Sequence, residues 1–475
     1  MRTALNRSVL RALLPIAAYS LLLIAPAPPD IAASAWNYFA LFFAVILALV
    51  IEPLPAAAVG FLGVTAAMVL GHVGATPRET VAWGLSGFSN ATVWLIFGAF
   101  VLSLGYRKSG LGVRLALLLV KTMGKRTIGL GYAVALADLL MAPVTPSNTA
   151  RSAGTLYPIL RNIPELFGSE PGPTARRIGS YLMWTAFATT AVTSSMFLTG
   201  LAPNLLAITF VKQSTGIEIT WLLWLKGFLP VGLVLFGLTP LLVYLAHPPQ
   251  IRRSEKAPEW ASGQLKQLGR LTGKEAVMTL LVVLALGLWI FGRSFVHAAV
   301  VTWIVISLMV LTRIVEWDDI LGSRAAWNML VWFATLVALA DGLKRVGFID
   351  GVTARLGEVL AGFPPVLILA CVVIFFFLIH YLFASLTAHT TALLPVLLGL
   401  GTAVPGVPVL PFSLLLCYSL GLMGVITPYA TGPAPVYYGC GFITRIDFWR
   451  LGLIFGLINL SALLLIGIPY LTAFF

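Results

Sequence analysis

Charge is what this chain has least of. Acidic and basic residues fill only 10% of its 475 positions, and Asp and Glu together number 17. Soluble globular domains run at about 25% charged, so a fold surrounded by water is excluded. Cysteine is scarce as well. Cys371, Cys417 and Cys440 all lie in apolar sequence, which leaves no disulfide framework and reads as small buried hydrophobes. The five histidines (His72, His247, His297, His380, His389) lack metal-ligand spacing. A glycine-rich phosphate loop with a following Lys is missing, so direct ATP drive is not expected, and neither is a cofactor or a metal. No catalytic constellation emerges, so the chain does not read as an enzyme. Carboxylates within apolar sequence are rarest. Asp138, Asp341, Asp350 and Glu358 lie in or beside the central segments, with Glu52 at a segment end. Proton relays across a membrane need such acids. Proton-driven cation exchange is therefore disfavoured, and Asp138 reads as a structural, hydrogen-bonded residue without an obvious partner acid.

What is plentiful is apolar sequence, with 59% hydrophobic residues and mean hydropathy +0.97. A lipid bilayer must be the solvent, and the pattern predicts an all-α polytopic membrane protein. Apolar segments fall near 10–26, 36–51, 54–72, 91–122, 127–163, 177–211, 220–246, 274–292, 296–314, 326–360, 363–400, 409–440 and 449–473. The basic start, Met1 to Arg11, and Ala25-Pro26-Ala27 imitate a cleavable leader. Apolar segments continue long after it, so a retained first span within 1–34 is expected. An Arg- and Ser-rich transit segment is not seen, which favours a bacterial inner membrane.

Segments 127–163 and 363–400 each carry a Pro, Ser and Thr cluster at mid-length. Such segments suit re-entrant hairpins, whose irregular tips must be buried in protein or face water. Eleven spans remain. With the N-terminus in the cytoplasm, 22 of the 30 Lys and Arg fall on the cytoplasmic side and 7 on the other, while Arg151 lies inside a tip. That bias places the N-terminus in the cytoplasm and the C-terminus in the periplasm. It also accounts for the net charge of +13 without nucleic acid.

The halves repeat. Gly105-Tyr106-Arg107-Lys108-Ser109-Gly110-Leu111 matches Gly342-Leu343-Lys344-Arg345-Val346-Gly347-Phe348 at a spacing of 237. Ser147-Asn148-Thr149-Ala150-Arg151 matches Ser385-Leu386-Thr387-Ala388-His389 at 238. Each tip is followed by a broken helix, at Gly200-Leu201-Ala202-Pro203-Asn204 and at Thr427-Pro428-Tyr429-Ala430-Thr431-Gly432-Pro433. Five spans separate equivalent points, an odd number, so the two repeats have inverted topology. The expected organisation is an N-terminal span at 1–34, a first repeat at 35–246, a cytoplasmic connector at 247–273 and a second repeat at 274–475.

Helix N-termini at the tips carry partial positive charge and free N–H groups, which favour an anion. Ser147, Asn148, Thr149, Ser385 and Thr387 add side-chain donors. One Ser-Asn-Thr in a membrane helix would read as ordinary packing. Two copies at matched points of a repeat read as a site for a substrate with a carboxylate at each end. Arg151 and His389 occupy corresponding positions. A charge at that depth marks a pathway or a partner, and we expect these two residues to compensate the substrate's charge.

Thr145-Pro146-Ser147-Asn148-Thr149-Ala150-Arg151-Ser152-Ala153-Gly154 closely resembles the first signature of the divalent anion/sodium symporter family. Ser385 to His389 and Thr427 to Pro433 resemble its second-half signatures. The chain looks most similar to the exchanger branch, which holds plastid 2-oxoglutarate/malate translocators and bacterial citrate/succinate and tartrate/succinate antiporters. The resemblance implies a homodimer, with a scaffold domain and an elevator-like transport domain in each protomer. It implies that substrate carboxylates meet Ser147, Asn148 and Thr149 on one tip and Ser385 and Thr387 on the other. The breaks at Pro203, Asn204, Thr427 and Pro428 complete the site. The chain departs from the sodium-coupled pattern at Leu386, where the second Asn is missing. With Arg151 and His389 beside the tips, the reading is exchange of 2-oxoglutarate, malate, succinate, fumarate or related di- and tricarboxylates without sodium. Sodium-coupled dicarboxylate symport is the alternative, ahead of an inorganic-ion permease, and a non-transporting receptor needs no paired tips.

Overall fold

Apolar helices build the whole architecture. The computed structural model describes residues 2–475 except Arg293 and Ala361, with side chains described from Arg11 on. The side chains of Arg2 and Arg7 and the whole of Arg293, counted in the charge bias, lie outside the described residues. Among the described residues no strand occurs, and one isolated bridge joins Arg126 and Arg253.

The first part runs through α1 (Arg2–Ile24), α2 (Ala33–Ile51), α3 (Ala56–Val69), α4 (Pro77–Leu85) and α5 (Ala91–Ser109). The Asn90 side chain caps α5 by accepting from the Thr92 amide at 2.8 Å, which satisfies a donor that would otherwise be orphaned. α6 (Leu111–Met123) follows at once. The apolar segment at 91–122 is therefore two helices, not one long span. Gly110, at φ +79°, breaks it in the left-handed region that favours glycine. The second half repeats the device. Segment 326–360 divides into α17 (Arg324–Arg345) and α18 (Phe348–Leu360) at Gly347, also at φ +79°.

The first hairpin descends through α7 (Thr127–Met141) and returns as a π-helical turn, Thr149–Leu156, with α8 (Tyr157–Leu160) and α9 (Asn162–Glu165). α10 (Gly179–Met196) and α11 (Ala202–Thr215) are the two parts of the first broken helix, and α12 (Trp221–Ala246) completes the half. The connector is not a loose loop. It contains the amphipathic α13 (Lys256–Leu268), which packs on α6. Its strand-like start is stitched down by Gln250 and Ile251 amides donating to the Arg176 and Arg177 carbonyls at 2.9 Å each, and by Thr127 Oγ1 donating to Ile251.

α14 (Gly273–Phe291), α15 (Ala298–Leu311) and α16 (Trp317–Leu321) precede α17. Buried Arg114 on α6 pairs with Glu275 on α14 at 2.7 Å and donates to the Gly269 and Arg270 carbonyls, fixing the connector's far end. The second hairpin is α19 (Pro365–Leu378) and α20 (Leu386–Ala403). The second broken helix is α21 (Val409–Leu422) and α22 (Ala434–Gly439), followed by α23 (Arg445–Ala462) and α24 (Ile468–Phe474).

The helices sort into two packed groups. α3, α5 and α15 gather with α17, while α7, α12, α20 and α21 gather around α10 and α11. At the centre of the second group the two broken helices cross. Ser195 Oγ donates to the Tyr418 carbonyl at 2.8 Å, and a Cβ added to Gly421 would lie 2.3 Å from that Oγ. Only glycine permits so close an approach, and the crossing brings both breaks to one level of the molecule.

Candidate functional site

Proline shapes the first tip. Pro143 and Pro146 lack the N–H that would continue α7, so the chain passes through a 3-10 turn into extended Thr145. The helix restarts at Asn148 with a π turn, and Ser147 Oγ accepts from the Ala150 amide at 3.1 Å. The wider π turn carries Arg151 inward, where its side chain is entirely buried.

All five N–H groups of Arg151 are satisfied by protein. Nε bonds Asp138 at 3.1 Å, Nη1 donates to the Thr145 and Gly200 carbonyls at 3.0 and 2.8 Å, and Nη2 donates to Thr193 and Ser194 hydroxyls at 3.3 and 3.1 Å. Thr193 also donates to the other Asp138 oxygen. Arg151, expected from the sequence to compensate the substrate's charge, faces a buried carboxylate of the protein. Its charge is balanced by Asp138 within the helices gathered around α10 and α11, and its directional donors are already engaged. Asp138 is the structural, hydrogen-bonded acid expected from the sequence, with Arg151 as the partner that sequence reasoning missed.

The remaining tip residues face the second break. Asn148 Nδ2 donates to Thr431 Oγ1 at 2.8 Å. Gly432 lies against exposed Thr149, whose Oγ1 would be 1.9 Å from a Cβ there. Tyr437 shares a 2.9 Å hydroxyl contact with Ser152 and so pins α22 to the first hairpin. The second tip meets the same break from its other side. A Cβ on Gly424 would lie 3.3 Å from Thr431 and 3.7 Å from Leu386. Both tips therefore converge on residues 424–432, which sequence reading had represented by Thr427 and Pro428 alone. Thr427 is fully buried and accepts from the Tyr429 amide, so it shapes the turn, and Pro428 is half-buried beside it. Thr431 and Gly432, the contact residues, lay unmarked in the same motif.

The first break acts as a brace. Buried Pro203 starts α11, and Asn204 donates to the Ser194 and Phe197 carbonyls at 2.8 and 3.2 Å. These residues hold the Gly200 carbonyl against Arg151. Neither contacts the tip residues Ser147 to Thr149 through a hydrogen bond.

In the second tip, Ser385 caps α20 by accepting from the Ala388 amide at 3.3 Å. Ser147 and Ser385 thus each use a lone pair for capping and retain their O–H. Among the described residues the Thr149 and Thr387 hydroxyls also donate to no protein acceptor. Four hydroxyl donors beside two restarting helices form a site that complements carboxylate oxygens, which only accept. His389 is fully buried, with Nδ1 3.2 Å from His380 Nδ1, while His380 Nε2 lies 2.9 Å from the Ala430 carbonyl. His389, expected to compensate the substrate's charge beside the tip, lies inside the hairpin between Phe376 and Phe383. His380 was legible only as one of five histidines. The hairpin brings it to His389 across nine residues, and no helical spacing signals that.

A cavity of about 550 Å³ opens elsewhere, between the starts of α5, α12 and α15, and reaches Leu198 at the first break. Lys212, Glu218 and His297 line its outer part.

Comparison with known proteins places these observations in context. A family model described as the sodium:sulfate symporter transmembrane region matches residues 6–475. The citrate/succinate antiporter of Escherichia coli K12 is 46% identical over 478 residues, covering 98% of both chains. The L-tartrate/succinate antiporter of the same strain is 42% identical over 474 residues, covering 97% of both. In fold, the chain resembles the crystal structure of the Alcanivorax borkumensis YdaH transporter, with a TM-score of 0.58, 16% identity, and 85% and 90% of the two chains covered.

Proposed function

The chain belongs to the family of the sodium:sulfate symporter transmembrane region, and from that premise we propose an antiporter that exchanges di- and tricarboxylates across a bacterial inner membrane. It is a multi-pass membrane transporter and not an enzyme. The candidate substrates are citrate, tartrate, succinate, malate, fumarate and 2-oxoglutarate. The observation that carries the reading is the convergence of two hydroxyl-lined tips on one break, joined by the Asn148 to Thr431 hydrogen bond. Ser147 and Thr149 hold one carboxylate and Ser385 and Thr387 the other.

Exchange proceeds without sodium. The oxygens at the first tip that would suit a cation, from Asp138, Thr145, Gly200, Thr193 and Ser194, already surround the Arg151 guanidinium. A metal ion there would have to displace the tethered guanidinium. At the second tip the His380 ring occupies the Ala430 carbonyl. Because Asp138 neutralises Arg151, the empty carrier's reluctance to move comes from unfilled hydroxyl and helix-end donors in both tips.

The motion is elevator-like. α7, α10 to α12 and α19 to α24 slide as a transport domain against a scaffold of α1 to α5 and α14 to α17, and two protomers pair through their scaffolds. Eleven spans and two re-entrant hairpins, at 127–163 and 363–400, set the N-terminus in the cytoplasm and the C-terminus in the periplasm. The repeats span 35–246 and 274–475, about the connector at 247–273.

A competition series tests the substrate class. Labelled succinate enters vesicles preloaded with succinate, with citrate, tartrate, malate, sulfate or arsenite outside. Competition by the carboxylates alone is expected. Competition by sulfate or arsenite alone would remove the reading.

A further inference from the structure

We propose that His380 and His389 form a single proton-binding site in the second hairpin, filled when a tricarboxylate occupies the tips and empty when a dicarboxylate does. The inference rests on the carboxylate-exchange reading above.

The hydrogen-bond geometry fixes each tautomer. The Ala430 carbonyl only accepts, so His380 donates its Nε2–H across 2.9 Å. A neutral ring has one N–H, which makes His380 Nδ1 an acceptor. The 3.2 Å Nδ1 to Nδ1 contact then requires His389 to donate from Nδ1. A lone pair is left on His389 Nε2, which is buried and has no hydrogen-bond partner. One proton added there breaks no bond. A second, at His380 Nδ1, would set two donors against each other. The pair's capacity is one.

The surroundings decide when that proton is held. Phe376 and Phe383 pack edge-on to His389 with ring centroids at 4.4 and 4.9 Å. The phenols next in sequence to His380 and Ala430 are Tyr381 and Tyr429, and the Tyr429 hydroxyl donates to the Tyr381 backbone carbonyl at 3.1 Å. Among the described residues, no Asp, Glu, Lys or Arg from the hairpin, the second break, or the neighbouring α2, α11, α17, α18 and α21 bonds either ring. His389 also sits in the first turn of α20, where the helix end carries partial positive charge and opposes an imidazolium. The empty pair is therefore neutral, and an added proton needs an anion beside it. A substrate carboxylate held at the tip supplies one. Ser385 and Thr387 lie within a turn of His389, and Ala430 directly precedes Thr431, the residue that bridges the tips.

At neutral pH citrate carries mainly three charges and succinate two. A proton taken from solution with citrate, held on His389 Nε2 and released with it on the other side, equalises the loaded carrier's charge in both directions. No bond within the substrate forms or breaks. Citrate for succinate exchange is then electroneutral.

The test uses the purified full chain in vesicles loaded with succinate and a trapped pH dye, with labelled citrate added outside at controlled voltage. The expected result is one proton entering per citrate in the wild type. In His389→Gln and His389→Phe, either of which suffices if the other fails to fold, citrate enters without a proton and becomes voltage-sensitive. The readout is a ratio, so a slowed variant still reports it. Proton-free citrate entry in the wild type, or an unchanged ratio in the variants because citrate carries its own proton, overturns the inference and leaves the exchange reading standing. Absence of any carboxylate exchange overturns both.

Discussion

At the scale of single residues the molecule turns on Arg151. A guanidinium with five satisfied donors and a buried carboxylate partner is a fixed part of the tip. Arg151→Ala leaves Asp138 buried and unpaired, which costs about 3–5 kcal/mol. A large fall in melting temperature in detergent is expected, with part of it recovered when Asp138→Asn is added. Undiminished stability in the single variant would show that the pair does not hold the tip. Gly432→Ala drives a Cβ into Thr149 Oγ1, so exchange should fall sharply. Transport rates of the variant and the wild type in vesicles check this, and equal rates would show that the contact does not shape the tip. The sequence made the tip residues legible because polar, helix-breaking clusters stand out in apolar segments. It hid the partners of Arg151. Asp138 lies 13 residues back on the opposite arm, and Thr193, Ser194 and Gly200 come from another helix. No local period joins those positions.

At the scale of elements the glycine breaks, the hairpins and the connector decide how the tips are presented. Gly110 and Gly347 sit at φ +79°, with at most a 3.9 Å neighbour to an added Cβ. Replacing either with Ala meets backbone strain alone, about 1–2 kcal/mol each, readable as similar drops in melting temperature. The matched glycines were visible as a repeat at spacing 237. Their effect, splitting a long apolar run into a span and a shorter helix, was not, because the run's hydropathy continues through the break. The connector's role was hidden for the opposite reason, since hydrophilic sequence does not announce backbone pairing. His247 joins it to α10. Arg176 donates to Nδ1 at 3.3 Å, so the ring donates from Nε2 to Ser180 at 3.1 Å. Burial, helped by Arg176, lowers the His247 pKa from 6.5 to about 4. The unfolded chain therefore takes up this proton first as pH falls. The stabilising contribution is complete above about 6.5 and drains away towards about 4, by up to about 3 kcal/mol. Unfolding curves across that range should slope less in His247→Gln than in the wild type. Equal slopes would mean that the ring titrates alike in both states.

At the scale of the whole molecule, two tips meet one break, with the Arg151 guanidinium behind the first and a histidine pair behind the second. Both tips and both breaks were readable from the paired motifs, whereas the dominance of the second break was not, because the two breaks look equivalent until the helices cross. On the proposed exchange reading, coupling follows from that assembly: a carrier whose tips present unfilled donors moves when a carboxylate fills them, in either direction. The most direct measurement is labelled succinate uptake by the purified protein in vesicles that are empty or preloaded with unlabelled dicarboxylate, each with sodium or choline outside. Uptake confined to preloaded vesicles and equal in sodium and choline is the predicted result. Sodium-dependent uptake into empty vesicles would contradict the account, because the Arg151 site would then not replace a mobile ion.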